Sequence, residues 1–249
     1  MGIEPEHEVA STPREALAQT GWLRSVAADT LDRLAKQAVL HRVPAGSTVF
    51  EQAETPAFAL LLVSGNVELL AVRGTEETLV EFVLAPDLLL PAAVLNSQPY
   101  LLRARVLGEA RLVMIQAETF RETVASNLDL CLAVLACQAA QFRRQIKHAK
   151  NLQLRSVEER IGCYLLKIIE GTSPGTPVKL PLEKRLIASQ LGMTRETFSR
   201  TLATVARHGI RVDGDVVCLE DAAAAGIRFQ LDPLIDGHEP MRPIRIKRN

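Results

Sequence analysis

The stretch "KRLIASQLGMTRETFSRTLATV", residues 184–205, predicts two helices joined by a sharp turn, and it decides the fold of the C-terminal part of the chain. Apolar residues recur at helical spacing on both sides of the turn, namely Ile187, Ala188 and Leu191 before it and Phe198, Leu202 and Val205 after it. Gly192 suits the positive φ of such a turn, and the small side chain of Ala188 lets the two helices cross closely. This pattern is typical of a helix-turn-helix.

The second of these helices, predicted over residues 194–208, has a polar face. Thr194 is placed to cap the helix, and the polar residues that follow at positions i, i+1, i+4 and i+5 are Arg195, Glu196, Ser199 and Arg200. Arginine fits O6 and N7 of guanine, glutamate accepts from N4 of cytosine, and serine contacts a base or a phosphate. We therefore expect these five residues to bind DNA in the major groove. A solvated helix face is the alternative, because Arg and Glu are common on any surface.

Charge and turn patterns around this helix favour the DNA-binding interpretation. The whole chain has a formal net charge of zero, yet the acids Glu183 and Glu196 are outnumbered between residues 183 and 211 by Lys184, Arg185, Arg195, Arg200, Arg207 and Arg211. Residues 47–90 are acidic instead, which suggests two modules with different partners. Asp213-Gly214 lies between two short apolar runs and predicts a two-residue hairpin, as in a wing.

A long helix is predicted before this region. Residues 127–154 contain no Gly or Pro, and their apolar residues recur at intervals of four and three, as in the a and d positions of a coiled coil. At a rise of about 1.5 Å per residue the helix would be about 42 Å long, longer than one small domain can cover. We therefore expect a dimer seam formed by Leu132, Leu135, Ala139, Phe142 and Ile146. Packing of the same stripe within its own domain is the alternative.

The N-terminal half has a different period. Apolar spacing from Trp22 to Lys36 predicts a short helical segment, with Asp29 as a cap for its second part. From Val39 to Leu84, short runs rich in Val, Leu and Phe are separated by turn residues, and residues 103–115 supply the last strands. This pattern predicts an antiparallel β-roll. The fold class is therefore α+β.

Composition indicates the cellular setting. The chain has 249 residues, 47% of them hydrophobic, which is enough for one large or two modest cores. The four cysteines form no CxxC pair, so neither a zinc site nor a disulfide framework is indicated. No apolar run reaches membrane-spanning length, and the acidic N-terminus lacks the features of a signal peptide. We expect a soluble, cytoplasmic protein with no membrane partner, whose basic tail over residues 232–249 is flexible.

The chain resembles the CRP/FNR family of bacterial transcription regulators, and the resemblance covers about Trp22 to Leu231. The matching motifs are "VPAGSTVFEQ" (43–52), "LLLVSGNVEL" (60–69) and "ETFSR" (196–200). Ala53 departs from the pattern, because it stands where a glycine is usual. The segment "LPLEKRLIASQLGM" (180–193) is also similar to that of the nitric-oxide-responsive Dnr and NnrR regulators of denitrifiers.

This resemblance implies an N-terminal β-roll like a cyclic-nucleotide-binding domain, a long dimerisation helix and a C-terminal winged helix-turn-helix. The implied segments are an N-terminal extension (1–21), a β-roll sensor domain (22–124), the dimerisation helix (125–155), the winged helix-turn-helix domain (156–231) and the tail (232–249). The implied partners are double-stranded DNA, RNA polymerase and a second copy of the chain.

The resemblance also implies roles for single residues. Glu196, Ser199 and Arg200 match the Glu-x-x-Ser-Arg motif of the FNR-like branch, which binds palindromic sites with TTGAT half-sites. In the catabolite-activator branch a glycine stands where this chain has Ser199. Arg195 lies outside the motif, so we expect it to contact a phosphate or the edge of the groove.

The effector segment departs from the cyclic-AMP binders that this family contains. Those proteins have Gly-Glu-Leu and then an arginine next to Ser or Thr, whereas this chain has three consecutive leucines and then leucines at 101–102. Burying a phosphate against leucines without cationic partners would be very costly, and Arg103 and Arg105 are offset along the strand. We therefore do not expect cyclic AMP to bind. An apolar effector pocket is expected instead, lined by Leu88, Leu89, Leu90 and Tyr100.

Such a pocket could hold heme, another hydrophobic effector or no ligand at all. The candidate heme ligands are His7, His41, Cys131 and Cys137, although a structural role is the simpler explanation for each. The N-terminal cysteine cluster of oxygen-sensing FNR proteins is absent, so an iron–sulfur cluster is not expected. The effector, the target genes and the choice between activation and repression stay open.

An enzyme of the cupin type, with a metal inside the roll, is the alternative function. The five histidines, at 7, 41, 148, 208 and 238, are dispersed, and only His41 falls within the roll. The sequence contains no nucleophile elbow, phosphate loop or paired-carboxylate motif. A sensor that binds another protein in place of DNA is disfavoured by the intact second helix. We therefore expect a regulator, not an enzyme, and no metal site.

Overall fold

The computed structural model of the chain describes residues 10–237. These residues form two compact units, and the division falls between Gln141 and Phe142, within one long helix. Each unit has a hydrophobic core of its own. The two units are therefore described separately.

The first unit combines helices with short strands. In chain order it contains α1 (Pro13–Gln19), a 3-10 turn (Gly21–Leu23), α2 (Ala28–Lys36), β1 (Ala38–Val43), β2 (Thr48–Phe50), β3 (Phe58–Ser64), β4 (Asn66–Arg73), β5 (Glu76–Leu84), β6 (Asp87–Leu88), α3 (Pro91–Asn96), β7 (Arg103–Val106), β8 (Ala110–Gln116), α4 (Ala117–Ser126) and the first part of α5 (Leu128–Leu154).

The strands pair into two antiparallel sheets, with orders β1-β8-β3-β6 and β2-β7-β4-β5. Alternate side chains of these strands point between the sheets, because successive residues of a strand face opposite sides. Phe50, Leu62, Val67, Leu69 and Ala104 belong to this interior, and each is at most 4% exposed. The predicted antiparallel β-roll is therefore confirmed.

A second core of the first unit lies between the helices and one sheet, and it begins earlier than the sequence predicts. Leu17 of α1 is buried together with Trp22 and Leu34, and a capping box between Thr12 and Glu15 starts α1. The segment assigned to an N-terminal extension (1–21) is thus packed from residue 10 onward. His7 lies outside the described residues.

The predicted cap at Asp29 is wrong. Helix α2 begins after Ala27, which occupies the N-cap position and makes no side-chain cap hydrogen bond. Asp29 lies inside the first turn of the helix. There its negative charge can still interact favourably with the positive end of the helix dipole.

Helix α5 extends without a break from Leu128 to Leu154, as its lack of Gly and Pro predicts. In the first unit one face of α5 is buried against the core through Leu130, Ala133, Val134, Cys137 and Ala140. The predicted seam is on another face. This long helix, the roll and a C-terminal helix-turn-helix confirm the predicted fold class.

Ala53, which stands where related sequences usually have glycine, adopts a left-handed backbone conformation. Its φ is 69°, and its N–H donates to the carbonyl oxygen of Tyr100 at 2.7 Å, which holds the turn in place. A Cβ in the left-handed region costs about 1–2 kcal/mol. We expect Ala53→Gly to raise the free energy of unfolding by about 1 kcal/mol, since the greater entropy of an unfolded glycine offsets part of the gain.

Urea unfolding of the wild-type protein and the Ala53→Gly variant measures this difference. Ala57→Gly is the matched control, because Ala57 is also exposed and is not among the residues with positive φ. The control is expected to be destabilised. A loss of stability in Ala53→Gly as well would contradict the assignment of strain to Ala53.

The second unit begins with the remainder of α5. Its other elements are α6 (Val157–Ile168), β9 (Val178–Lys179), α7 (Lys184–Gln190), α8 (Arg195–Ala206), β10 (Ile210–Asp213), β11 (Val216–Leu219), α9 (Ala222–Arg228) and α10 (Pro233–Asp236). The strands form one antiparallel sheet in the order β10-β11-β9. Asp213 pairs with Val216, so the hairpin turn consists of Gly214 and Asp215, one residue later than predicted.

The chain after residue 231 is more ordered than predicted. Asp232 caps α10 by accepting from the N–H of Leu234, and Asp236 forms an ion pair with Arg155 at 2.6 Å. Since both charged groups are mostly buried, this contact fixes the start of the predicted flexible tail. The basic end of that tail, "RPIRIKRN", lies outside the described residues.

Among residues 10–237 no single helix is long and apolar enough to cross a membrane. The bent pair α4 and α5 passes by length and composition alone, with an angle of 112° between its helices. Both helices bury apolar residues in the core of the first unit.

Candidate nucleic-acid interface

Helices α7 and α8 form the predicted helix-turn-helix, and local contacts fix the turn. Gly192 has a φ of 66°, in the left-handed region that glycine adopts most readily. Arg160 of α6 supports the turn, since its Nη1 donates to the carbonyl oxygen of Leu191 at 2.7 Å. The apolar side of α8 is anchored by Phe198 and Val205, which are fully buried. These contacts set the direction of α8.

Thr194 is the N-cap of α8, as predicted. Its hydroxyl oxygen accepts from the N–H of Thr197 at 3.2 Å, which satisfies one of the free donors at the start of the helix. Loss of such a cap costs about 0.5–2 kcal/mol. We expect Thr194→Ala to lower the free energy of unfolding of the second unit by about 1 kcal/mol, measured by chemical denaturation.

Thr194→Ser is the matched control for this prediction, because serine keeps the capping hydroxyl. Its stability is expected to stay close to that of the wild-type protein. Equal destabilisation of the two variants would show that the Thr194 methyl group, not its hydroxyl, stabilises α8.

The polar face of α8 is accessible. The side chains of Arg195, Glu196, Ser199 and Arg200 are all exposed, whereas Phe198 is buried. Hydrogen bonds from the backbone N–H of Glu196 and from the Thr194 hydroxyl hold the pKa of the Glu196 carboxyl below its ordinary value. Glu196 is therefore ionised at neutral pH and can only accept hydrogen bonds, as contact with a cytosine amino group requires.

The basic residues around α8 differ in how far they are neutralised. Arg185 and Arg207 are exposed. Arg211 on β10 forms an ion pair with Glu220 at 2.9 Å, and Lys179 on β9 lies 3.5 Å from Asp215 of the hairpin turn. Such exposed pairs are weak, so both cations remain able to approach a phosphate backbone.

The predicted seam is exposed on α5. Leu135, Phe142 and Ile146 are 53%, 67% and 47% exposed, Ala139 is exposed, and Leu132 is half-buried. The stripe therefore does not pack within its own domain, because the face of α5 that is buried there is a different one. Large apolar side chains in a continuous exposed row are typical of a protein–protein contact.

The predicted effector-pocket residues are not brought to one place. Leu88 packs in the helical core of the first unit, whereas Leu89 and Tyr100 are buried inside the roll. The Tyr100 ring stacks on Phe50 at 3.7 Å between centroids. Burial raises the pKa of Tyr100 to about 12, so its hydroxyl stays protonated. Leu89 and Tyr100 therefore belong to the packed interior of the roll.

Leu90 is the fourth predicted pocket residue and is partly buried at the edge of the roll core. Its φ is 41°, a left-handed conformation that is a genuine outlier for a bulky side chain. Leu90 occupies the N-cap position of α3, two residues after the end of β6. The segment predicted to respond to an effector therefore contains a strained residue, which is common at switch regions.

The two arginines near the predicted effector segment lie on the outer surface of the roll. Ala104 faces the interior, so Arg103 and Arg105 on either side of it face outward. Arg103 is paired with Glu51 and Glu77, and Arg105 with Glu77 and the buried Glu68. Neither guanidinium faces the roll interior, where a cyclic nucleotide phosphate would need one.

The candidate heme ligands are scattered. His41 is exposed on β1, and Cys131 is exposed on α5. Cys137 is buried and donates to the carboxylate of Asp87 at 3.4 Å. Across residues 10–237 no group of three or more His, Cys, Asp or Glu side chains is arranged to hold a metal ion.

Known families match both units of the chain. The cyclic nucleotide-binding domain family matches residues 40–127, and the Crp-like helix-turn-helix domain family matches residues 159–224. The first match covers the roll, α4 and the link to α5. The second covers most of α6, the helix-turn-helix and the hairpin.

Individual proteins match over most of the chain. The nitrogen fixation regulation protein FixK of Azorhizobium caulinodans is 29% identical over 218 residues, which are 81% of this chain and 87% of that protein. The structure of FixK2 from Bradyrhizobium japonicum has a TM-score of 0.62 at 17% identity and covers 78% of this chain and 98% of that one. The structure of the c-di-GMP-responsive regulator CLP of Xanthomonas campestris has a TM-score of 0.64 at 18% identity and covers 79% of this chain and 100% of that one. The two structures share the fold.

Proposed function

We propose that this chain is a DNA-binding transcription regulator of the CRP/FNR family, which its two domain matches and its similarity to FixK support, and that it binds palindromic sites with TTGAT-type half-sites as a homodimer. The observation that carries the proposal is the exposed polar face of α8, on which Glu196, Ser199 and Arg200 stand together. They match the half-site motif of the FNR-like branch position for position. Thr194 and Arg195, at the start of the same helix, are positioned for phosphate or groove-edge contacts.

The homodimer is supported by the exposed seam on α5. A two-fold axis along this helix would place an identical apolar row opposite Leu135, Phe142 and Ile146. Apolar residues at such spacing pair as in a coiled coil. The two copies of α8 would then be presented to half-sites about one turn of DNA apart, which is roughly 34 Å. A palindromic target follows from this symmetry.

The signal that controls binding acts, in this proposal, through the roll and α5, and it is not cyclic AMP. Support comes from the outward direction of Arg103 and Arg105 and from the filled roll interior around Tyr100. The regulator would work in the cytoplasm, where it meets its DNA, and would contact RNA polymerase at the promoter.

Fluorescence anisotropy with labelled duplexes tests the proposal. Three duplexes are compared at one salt concentration: an inverted repeat of TTGAT half-sites, the same duplex with one half-site scrambled, and a fully scrambled duplex. We expect the inverted repeat to bind about 10³-fold more tightly than the scrambled duplex, with the single half-site between them. Equal affinity for all three would refute the proposed specificity.

A further inference from the structure

A cationic cavity lies within the second unit, away from the exposed face of α8. It has a volume of about 290 Å³ and is bounded by the last turns of α5, by α6, by the end of α7 and by α10. Its cationic lining residues are Arg144, Lys147, Arg155, Arg160 and Lys167. Among the described residues that line it, Asp236 supplies the carboxylate. The excess of positive charge among these lining residues favours an anionic ligand.

Part of this positive charge is already engaged by α10. Arg155 binds both carboxylate oxygens of Asp236, at 2.8 and 2.6 Å. Lys147 donates to the carbonyl oxygen of Gly237 at 2.7 Å, and Lys167 donates to that of Asp236. These contacts build one wall of the cavity and hold its cations in place. A preformed wall of this kind lowers the cost of ordering side chains around a ligand.

Two buried polar atoms of residues beside the cavity have no hydrogen-bond partner within the described part of the chain. They are Nε of Arg160 and Oε1 of Gln190, and both residues line the cavity. One N–H group of Arg160 donates to the carbonyl oxygen of Leu191, and burial lowers the pKa of its guanidinium. Buried donors and acceptors are nearly always satisfied, so a missing partner at a cavity points to a bound molecule.

We propose that this cavity binds a phosphorylated small molecule, whose phosphate lies against Arg160 and whose hydroxyl group donates to Gln190. A guanidinium fits phosphate oxygens because its N–H groups point in a fixed fork. The cavity is at the small end of the range for ligand sites, which suits a compact phosphate ester. The half-buried ring of Tyr164 gives the same cavity an apolar wall.

The cavity stays open when the seam is covered. Three of the α5 residues that line it, Arg144, His148 and Asn151, are spaced by four and three positions, and Arg155 follows directly after the helix ends. At about 100° per residue this row lies roughly half a turn around α5 from Phe142 and Ile146. A second copy of the chain on the seam would therefore leave the ligand site accessible.

Arg160 connects the site to the helix-turn-helix. The same guanidinium that faces the cavity donates to Leu191, next to the turn residue Gly192. A ligand that draws Arg160 toward itself changes the support of this turn, so the proposed site has a direct physical route to α8. The binding measurement below uses no DNA, and its result is independent of the proposed half-site specificity.

Calorimetric titration of the full chain tests the site, with inorganic phosphate, ribose 5-phosphate and ribose as probes. We expect both phosphates to bind and ribose to show no binding. Arg160→Gln is expected to weaken phosphate binding at least tenfold, whereas Arg24→Gln, the same change at an exposed arginine of the first unit, leaves it unaltered. Equal weakening by both variants, or binding of ribose as tight as that of ribose 5-phosphate, would overturn the proposal.

A second readout works even if Arg160→Gln does not fold. His148 lines the cavity, and burial together with the positive charge of Arg160 lowers its pKa. Phosphate bound at Arg160 brings negative charge close to the imidazole, so the His148 pKa is expected to rise. Proton NMR measures it in phosphate and in chloride of equal ionic strength, with His148→Gln for assignment and His208 as internal control. Equal His148 pKa values in both salts would also overturn the proposal.

Discussion

Replacing Arg200 with alanine is expected to weaken binding to a TTGAT palindrome by about 1–3 kcal/mol per half-site, which is roughly a fivefold to more than hundredfold loss for each. Arg200 stands on the exposed face of α8, and its guanidinium can donate two hydrogen bonds to one guanine. Because a homodimer uses the residue twice, the palindrome loses the contact twice. Anisotropy titrations against the palindrome and against duplexes changed at single base pairs measure both the loss and the relaxed specificity.

Two variants control for charge in the Arg200 experiment. Arg200→Lys keeps the positive charge but loses the planar fork, so it is expected to lose specificity and to retain most non-specific binding. Arg73→Ala removes an exposed arginine from the first unit and is expected to bind the palindrome normally. If Arg200→Ala weakens palindromic and scrambled duplexes by the same factor, Arg200 contacts a phosphate and not a base.

Placing glutamate at Phe142 is expected to dissociate the proposed dimer. Phe142 is 67% exposed on the seam, so in a symmetric dimer two glutamates would enter the same apolar contact. An unpaired charge buried in this way costs about 3–5 kcal/mol, which raises the dimer dissociation constant by more than about a hundredfold. Sedimentation equilibrium measures the change, and binding to the palindrome is expected to fall with it.

Phe142→Leu is the matched control, because leucine keeps an apolar side chain at the same position of the seam. It is expected to remain dimeric, with at most a modest loss of affinity. A Phe142→Glu protein that still sediments as a dimer would place the subunit contact on another surface. Loss of folded structure in Phe142→Glu is checked by circular dichroism, and Ile146→Glu then repeats the test one turn further along α5.

The elements that were predicted correctly are determined by residues that lie close together in the sequence. Thr194 is a capping residue next to the helix that it starts, and its cap is present. The turn at Gly192 and the unbroken length of α5 are likewise set by residue types within a few positions. Such features depend on backbone conformation and helical period, which a short stretch of chain already specifies.

The features that the sequence did not predict depend on contacts between distant residues. Leu88 and Leu89 were placed in one pocket, but successive residues of an extended chain point to opposite sides, so they enter two different cores. The support of the turn by Arg160 joins residues that are 31 positions apart and belongs to no motif. The ordering of α10 likewise requires Arg155 as a partner for Asp236.

The wing illustrates an intermediate case. Asp-Gly correctly predicts a two-residue hairpin, but the register follows from which residues pair across the strands. Because Asp213 pairs with Val216, the turn moves to Gly214 and Asp215. The sequence thus located the hairpin to within one residue, and the pairing of the strands decided the rest.

Helix α5 contributes its turns to both units and offers the seam along one side without interruption. Its length is therefore under as much constraint as its composition. One residue inserted between Gln141 and Phe142 would turn everything beyond it by about 100°, so that the two halves of the seam face different directions. Seven inserted residues, close to two full turns, would nearly restore the phase. Related chains are thus expected to vary in the identity of residues along α5 much more freely than in their number.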